Sequence, residues 1–180
     1  MRFRTEQPPY SILARGIERS LLPTTRRLGM GVLTWSPLAG GFLTGRYRKD
    51  QPVDLTSGRP RITPGRFDPA LAVNAAKLDA VEQLVQVADG VGCSLPELAV
   101  AFAAAHPAVT SVIVGPRTME QWESLAKGAA LTLDDATLDR IDEIVPPGTD
   151  MYRADGASTP ASLTEVALRR RSVGDRSAAE

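Results

Sequence analysis

Thr34-Trp35-Ser36-Pro37-Leu38-Ala39-Gly40-Gly41-Phe42-Leu43-Thr44-Gly45-Arg46-Tyr47 is the stretch on which the fold reading turns. The apolar residues Met30 to Leu33 run directly into it, so the segment reads as a strand that ends in a glycine-rich loop carrying one cation. Such a loop suits a phosphate. Where no Cβ intervenes, backbone N–H groups approach closely, and a guanidinium fork can close the far side. From spacing alone, Arg46 is equally an exposed arginine of an ordinary loop, and Trp35 equally a core tryptophan.

Working outward, residues 3–7 form a strand candidate closed by Pro8 and Pro9, which cannot donate to a central ladder. Gly16 to Leu28 is helical in character and ends at Gly29. Tyr47 to Pro69 is rich in Pro, Gly, Arg and Asp without an apolar period, which predicts a long surface loop. Leu78, Val81, Leu84, Val85, Ala88 and Val91 then fall on one helical face. Ser94 caps the next helix, Leu95 to Ala105, with Glu97 at the capping-box position. Val109 to Val114 reads as a strand buried on both faces. Gly115-Pro116-Arg117-Thr118 leads into a helix from about Met119 to Lys127, and Asp134 to Val145 is a final amphipathic helix. Beyond Asp150 the polar composition, with Arg169-Arg170-Arg171, predicts little fixed structure. Strands alternating with helices in this order predict a parallel α/β sheet.

Composition excludes more than it selects. The 180 residues carry 21 basic and 21 acidic side chains, so no overall field favours nucleic acid or an anionic membrane. No apolar run approaches the roughly 20 residues of a membrane span. The lone Cys93 cannot form an internal disulfide, which fits a reducing cytoplasm. One histidine, His106, supports neither a metal cluster nor a Ser-His-Asp arrangement.

A second anion-type element is the Gly115-to-Thr118 junction, because helix N-termini attract anions and Arg117 adds a full charge. The loop Ser36-Pro37-Leu38…Gly41-x-Leu43-Thr44-Gly45-Arg46 resembles that after the seventh strand of the aldo-keto reductases. Gln7-Pro8-Pro9-Tyr10-Ser11, Leu28-Gly29-Met30-Gly31-Val32 and Ile144-Val145-Pro146-Pro147-Gly148 match the same family in the same order. The resemblance covers Phe3 to Gly148. It implies the C-terminal part of a (β/α)8 TIM barrel, about strands six to eight with their helices, over residues 1–148, followed by a polar tail over 149–180.

The resemblance also implies roles for single residues. Trp35 would stack on the nicotinamide ring and Gln7 would bond its carboxamide. Ser36, Pro37, Leu38, Gly40, Gly41, Leu43 and Arg46 would line the pyrophosphate. Gly115, Arg117, Thr118 and Gln121 would hold a ribose 2′-phosphate, favouring NADP(H) over NAD. One departure stands out: Ser124 and Leu125 replace the acid and amide with which the family contacts adenine. The family's catalytic Asp, Tyr, Lys and His would all precede the first residue here. Tyr10, Tyr47 and Tyr152 do not align with that tyrosine, so no catalytic residue is assigned, and His106 and Cys93 are read as structural.

The implied activity is NADPH-dependent reduction of an aldehyde or ketone to an alcohol, with small carbonyl compounds as partners and a cytoplasmic setting. This chain would supply the cofactor half and be inactive alone. A non-catalytic subunit resembling the potassium-channel beta subunits, or an inactive gene fragment, is the alternative. Two open, apolar sheet edges would favour self-association or pairing with a separate N-terminal half.

Overall fold

The structure is a computed structural model that describes residues 3–156 and 160–168. Three short parallel strands, β1 (Thr5–Glu6), β2 (Gly31–Thr34) and β3 (Ser111–Val112), pair in the order β1-β2-β3. The register sets Thr5 against Gly31 and Leu33 against Ser111. Backbone bonds extend the β1 pairing past the strand ends, from Trp35 N–H to Pro8 O and from Tyr10 N–H to Trp35 O. Because all three strands run the same way, the segments after Glu6, Thr34 and Val112 leave along one edge of the sheet.

Six helices surround the strands in sequence, α1 (Leu21–Leu28), α2 (Gly58–Ile62), α3 (Ala72–Val91), α4 (Leu95–Ala105), α5 (Met119–Ala130) and α6 (Asp135–Ile144), of which α1 packs on β2 and α4 on β3. Two single turns, α7 (Arg153–Gly156) and α8 (Ala161–Thr164), follow. Helix α4 is apolar on all sides and its residues 98–103 are buried, as a central core helix requires. Its capping box forms as the sequence predicts, the Ser94 side chain and Glu97 carboxylate bonding reciprocally to backbone N–H groups. Helix α5 packs so closely on α4 that a Cβ at Gly128 would stand 2.7 Å from Glu97 Cα, so only glycine fits there. No single helix among the described residues is long and apolar enough to cross a membrane.

Four expectations change. The 109–114 segment pairs as a strand only over Ser111–Val112, and Ile113 is 41% exposed; helix α4 meets β3, but no further strand pairs with it among the described residues. The β1 edge is polar where it pairs, since Thr5 and Glu6 are both exposed. The 47–69 stretch is not a loop throughout. Helix α2 interrupts it, Pro60 and Phe67 are buried, and the Phe42 and Phe67 rings stack with centroids 5.2 Å apart. An Arg48–Glu82 pair also ties it to α3, with Nε 2.7 Å from Oε1, holding the Glu82 carboxyl down at about 2. Finally, residues 149–156 pack against the body: Met151 N–H donates to Leu13 O, and Gly16 N–H to the Asp150 carboxylate. Arg169, Arg170 and Arg171 lie outside the described residues.

The chain leading into that segment, at the end of α6, is held by a buried cation. Arg15, 4% exposed, donates from Nε to Glu18 at 2.9 Å. Its NH1 donates to Asp142 at 2.7 Å and to Val145 O at 2.6 Å. Glu18 also accepts from Tyr10 Oη at 2.6 Å and from Gly148 N–H at 2.8 Å. The Arg15 guanidinium lies 5.0 Å from the Phe102 ring centre.

Two consequences are measurable in urea unfolding. Arg15→Met leaves Glu18 and Val145 O without their cation and should cost about 3 kcal/mol, as for a broken buried pair. An unchanged midpoint would show that the clamp holds nothing in place. Gly41 sits at φ 113, where an added Cβ would also press Tyr47 Cε2 at 3.3 Å. Gly41→Ala should therefore cost about 1–3 kcal/mol, whereas an ordinary loop glycine would tolerate it.

Candidate cofactor surface and cleft

The sheet edge gathers the candidate residues. Trp35 follows β2 directly, and its indole N–H donates to Gln7 O at 3.1 Å. That bond fixes the ring at the junction of two strand ends while leaving the residue 43% exposed. Gln7 is exposed, and its side-chain amide bonds to none of the described residues.

The backbone then turns sharply. Ser36 and Ala39 hold φ of 61 and 48, followed by Gly40, Gly41 and Gly45 at 70, 113 and 74. Left-handed φ at two non-glycine residues is a strain that concentrates where backbone must present itself to something. Below this turn, Phe42, Leu43 and Pro37 are buried. Leu43 thus anchors the loop through the core, and Leu38 packs against the same core while half-buried. Arg46 is exposed, with its backbone N–H on Thr44 Oγ1, and its guanidinium pairs with none of the described residues.

The Gly115–Gln121 junction lies past the end of β3. Thr118 caps α5, accepting from Gln121 N–H at 3.3 Å, and the Gln121 side chain reaches back to accept from Arg117 N–H at 2.9 Å. This local loop leaves the Arg117 guanidinium exposed and without a partner among the described residues. One helical turn on, Ser124 Oγ faces Ser94 Oγ at 3.4 Å and Leu125 is buried. The residues that replace the family's adenine contacts therefore face α4.

A cleft opens beside Trp35, lined there by Pro9, Tyr10, Ser36, Ala39 and Gly40. Arg59, Arg66, Lys77 and Asp155 also line it, and none of these stands out in the sequence as a site residue. Lys77 is 1% exposed. Its Nζ donates to Arg66 O at 2.9 Å and Asp155 at 3.3 Å, and lies 4.1 Å from the Phe42 ring centre. Burial pulls the Lys77 pKa below its ordinary value despite the partly compensating Asp155 charge. A sequence signal existed: Lys77 stands four residues before Val81 on the apolar stripe of α3, where a lysine is out of place.

Neither Arg46, Arg117, Thr118 nor Gln121 lines this cleft. The cleft shares Trp35, Ser36 and Gly40 with the strand-end surface, while Arg46 and Arg117 lie outside it.

The described residues hold no free acid facing Trp35 from the cleft. Tyr10 is 1% exposed and its hydroxyl is committed to Glu18; burial and that bond push its pKa well above the usual tyrosine range. His106 packs edge-on to Tyr10 at 6.1 Å and accepts from Ala108 N–H at Nδ1, with its pKa lowered by burial. Cys93 is half-buried, and burial raises its thiol pKa, so it is a poor nucleophile. No group of three His, Cys, Asp or Glu among the described residues could hold a metal ion.

Comparison with known proteins fits this arrangement. The model of the Aldo/keto reductase family matches residues 1–146. The uncharacterized oxidoreductase YrpG of Bacillus subtilis is 34% identical over 151 residues, covering 83% of this chain and 43% of that protein. A probable voltage-gated potassium channel subunit beta of Arabidopsis thaliana is 33% identical over 162 residues, covering 82% of this chain and 46% of that protein. An L-glyceraldehyde 3-phosphate reductase of Escherichia coli O157:H7 is 31% identical over 144 residues, covering 79% and 41% respectively. The chain thus spans less than half the length of these relatives, and the match runs through both the strand-end loop and the α5 junction. It belongs to the aldo/keto reductase family.

Proposed function

We propose that this chain forms the cofactor side of an NADPH-dependent aldo-keto reductase that converts an aldehyde or ketone to its alcohol. The observation that carries the reading is the Trp35 indole, pinned through its N–H to Gln7 O with the residue still 43% exposed at the sheet edge. A flat aromatic face held in that way suits a nicotinamide ring. Its neighbours fit the rest of the molecule: the left-handed turn over Ser36–Gly41 exposes backbone, while Arg46 and Arg117 offer guanidinium forks without a partner among the described residues. Bound there, the cofactor would supply the hydride.

This chain's own residues bind and orient. Gln7 is free to hold the carboxamide, Trp35 sets the ring plane, and Arg46 meets the pyrophosphate. Arg117, whose backbone is fixed by Gln121, favours a 2′-phosphate, because an unphosphorylated ribose leaves its charge without a partner. The proton for the carbonyl oxygen comes from elsewhere: Tyr10 is spent on Glu18, and the chain by itself does not turn over. The remaining strands of the family's barrel, packed at the sheet edges, would complete the site.

A second reading rests on the potassium-channel beta subunits among the relatives. In it, the same surface binds cofactor within a regulatory subunit, and stable capture of a partner chain without carbonyl turnover would favour it.

The test measures NADPH and NADH affinity for the chain combined with a fragment carrying strands one to five, followed by NADPH oxidation with an aromatic aldehyde. NADPH should bind more tightly, Arg117→Ala should remove most of that preference, about 1.5–3 kcal/mol, and oxidation should need both pieces. Equal affinities before mutation, or turnover by the chain alone, would contradict the proposal.

A further inference from the structure

Binding and orienting the cofactor leaves Lys77 unused, although its place is unusual. It is 1% exposed on α3, and its neighbours one turn away, Val73, Asn74, Ala80 and Val81, carry no charge. The ammonium instead meets three segments remote from one another in sequence. Nζ lies 4.1 Å from the Phe42 ring centre, donates to Arg66 O at 2.9 Å, and donates to Asp155 at 3.3 Å beside the Tyr152 ring. The charged or titratable groups facing it are thus Asp155, Arg66 and Tyr152, and Arg59 lines the same cleft. Asn74, one turn earlier, donates to Gly65 O and Asp68 O, so the same face of α3 grips the 65–68 backbone. Phe42 stacks on Phe67 at 5.2 Å, and Tyr47 leans on the two rings at 5.4 and 5.2 Å. An added Cβ at Gly40 would meet Phe67 at 3.7 Å, and one at Gly41 would meet Tyr47 at 3.3 Å. The turn's backbone therefore rests on this aromatic cluster, and Lys77 is the cation set against it.

We propose that Lys77 is a positioning residue: its ammonium, held between Asp155, Arg66 O and the Phe42 ring, sets the shape of the turn over Ser36–Gly41 to which the cofactor is assigned. It acts through Phe42 and not by contact with a ligand. An ammonium on a four-carbon stem suits this place, because it can be buried and still aim donors at acceptors in different directions. When charged it draws a carboxylate, a carbonyl and the negative face of a ring together; when neutral it loses the ion pair and the attraction to the ring. Burial lowers its pKa by more than Asp155 raises it. The turn is therefore held while the amine is charged, and released as pH rises through a midpoint below that of an exposed lysine. That the turn receives the cofactor rests on the function proposed above; the hold of Lys77 on the turn does not.

The test is a pH titration of the 180-residue chain without cofactor, read by NMR at carbons, which do not exchange with water: Lys77 Cε, the Phe42 ring, and the Cα of Gly40 and Gly41. These signals should move together, with one midpoint below the ordinary lysine range. Asp155→Asn removes the anion that favours the charged amine and should shift that midpoint to lower pH. Phe42→Leu keeps apolar bulk and should leave Lys77 titrating while Gly40 and Gly41 fall silent. Turn signals that ignore the Lys77 midpoint, or that follow it equally in Phe42→Leu, would overturn the proposal. NADPH affinity is then measured over the same pH window. It should weaken severalfold through the Lys77 midpoint, and Lys77→Met should bind more weakly and lack that step. A purely structural role would lower the stability of Lys77→Met and leave its pH step in place. NADPH affinity without a step in the wild type would overturn the role toward the cofactor. No NADPH binding at any pH would sink the function proposed above, whereas the cofactor-free titration would still decide whether Lys77 holds the turn.

Discussion

One guanidinium sets the geometry. Arg15 is buried, and a buried charge must find partners or the fold pays several kcal/mol. Its partners are Glu18, three residues on, and Asp142 and Val145, which lie 127 and 130 positions away. Satisfying it draws the segment after β1 against the end of α6. Tyr10, Glu18 and Gly148 lock into the same network, and the chain beyond Thr149 is then led along Leu13 and Gly16. Asp155 reaches the cleft as a consequence. The wall of the cleft and the carboxylate inside it thus depend on an arginine that touches no proposed ligand.

The second constraint is the parallel register. With Thr5 opposite Gly31 and Leu33 opposite Ser111, the strand ends fall side by side. Trp35 then reaches Gln7 O across the sheet, and the left-handed turn after Pro37 projects from the same edge. Phe42 and Leu43 anchor that turn from below, which lets Ser36 and Ala39 hold a backbone conformation they would not adopt freely. Rigidity under the loop and exposure above it are properties of adjacent residues in one short sequence.

Local chemistry was legible in the sequence and long-range pairing was not. The capping box at Ser94 and Glu97, the end of α1 before Gly29 and the apolar face of α3 all follow from residues within one or two turns. Trp35 and the glycine loop were recognisable because their chemistry lies in a contiguous run. Arg59, Arg66, Lys77 and Asp155 come from three separate segments, and nothing local marks them as neighbours. Ile113 misled in the other direction. An apolar β-branched run predicts burial on both faces, yet burial depends on what meets the strand, and no further strand pairs with that one among the described residues. The ordered packing of residues 149–156 is hidden in the sequence because polar composition conceals an anchor made by Asp150 and two backbone bonds.

The central claim is that the strand-end surface, and not the helical exterior, receives the cofactor. An amide-resolved NMR titration of the chain with NADPH tests it most directly, since the two tryptophans supply separate indole signals. Shifts are expected at the Trp35 indole and at the amides of Gly40, Gly41, Gly45 and Gly115, with the Trp122 indole unmoved. Shifts confined to α3 or α6, with Trp35 silent, would contradict the claim.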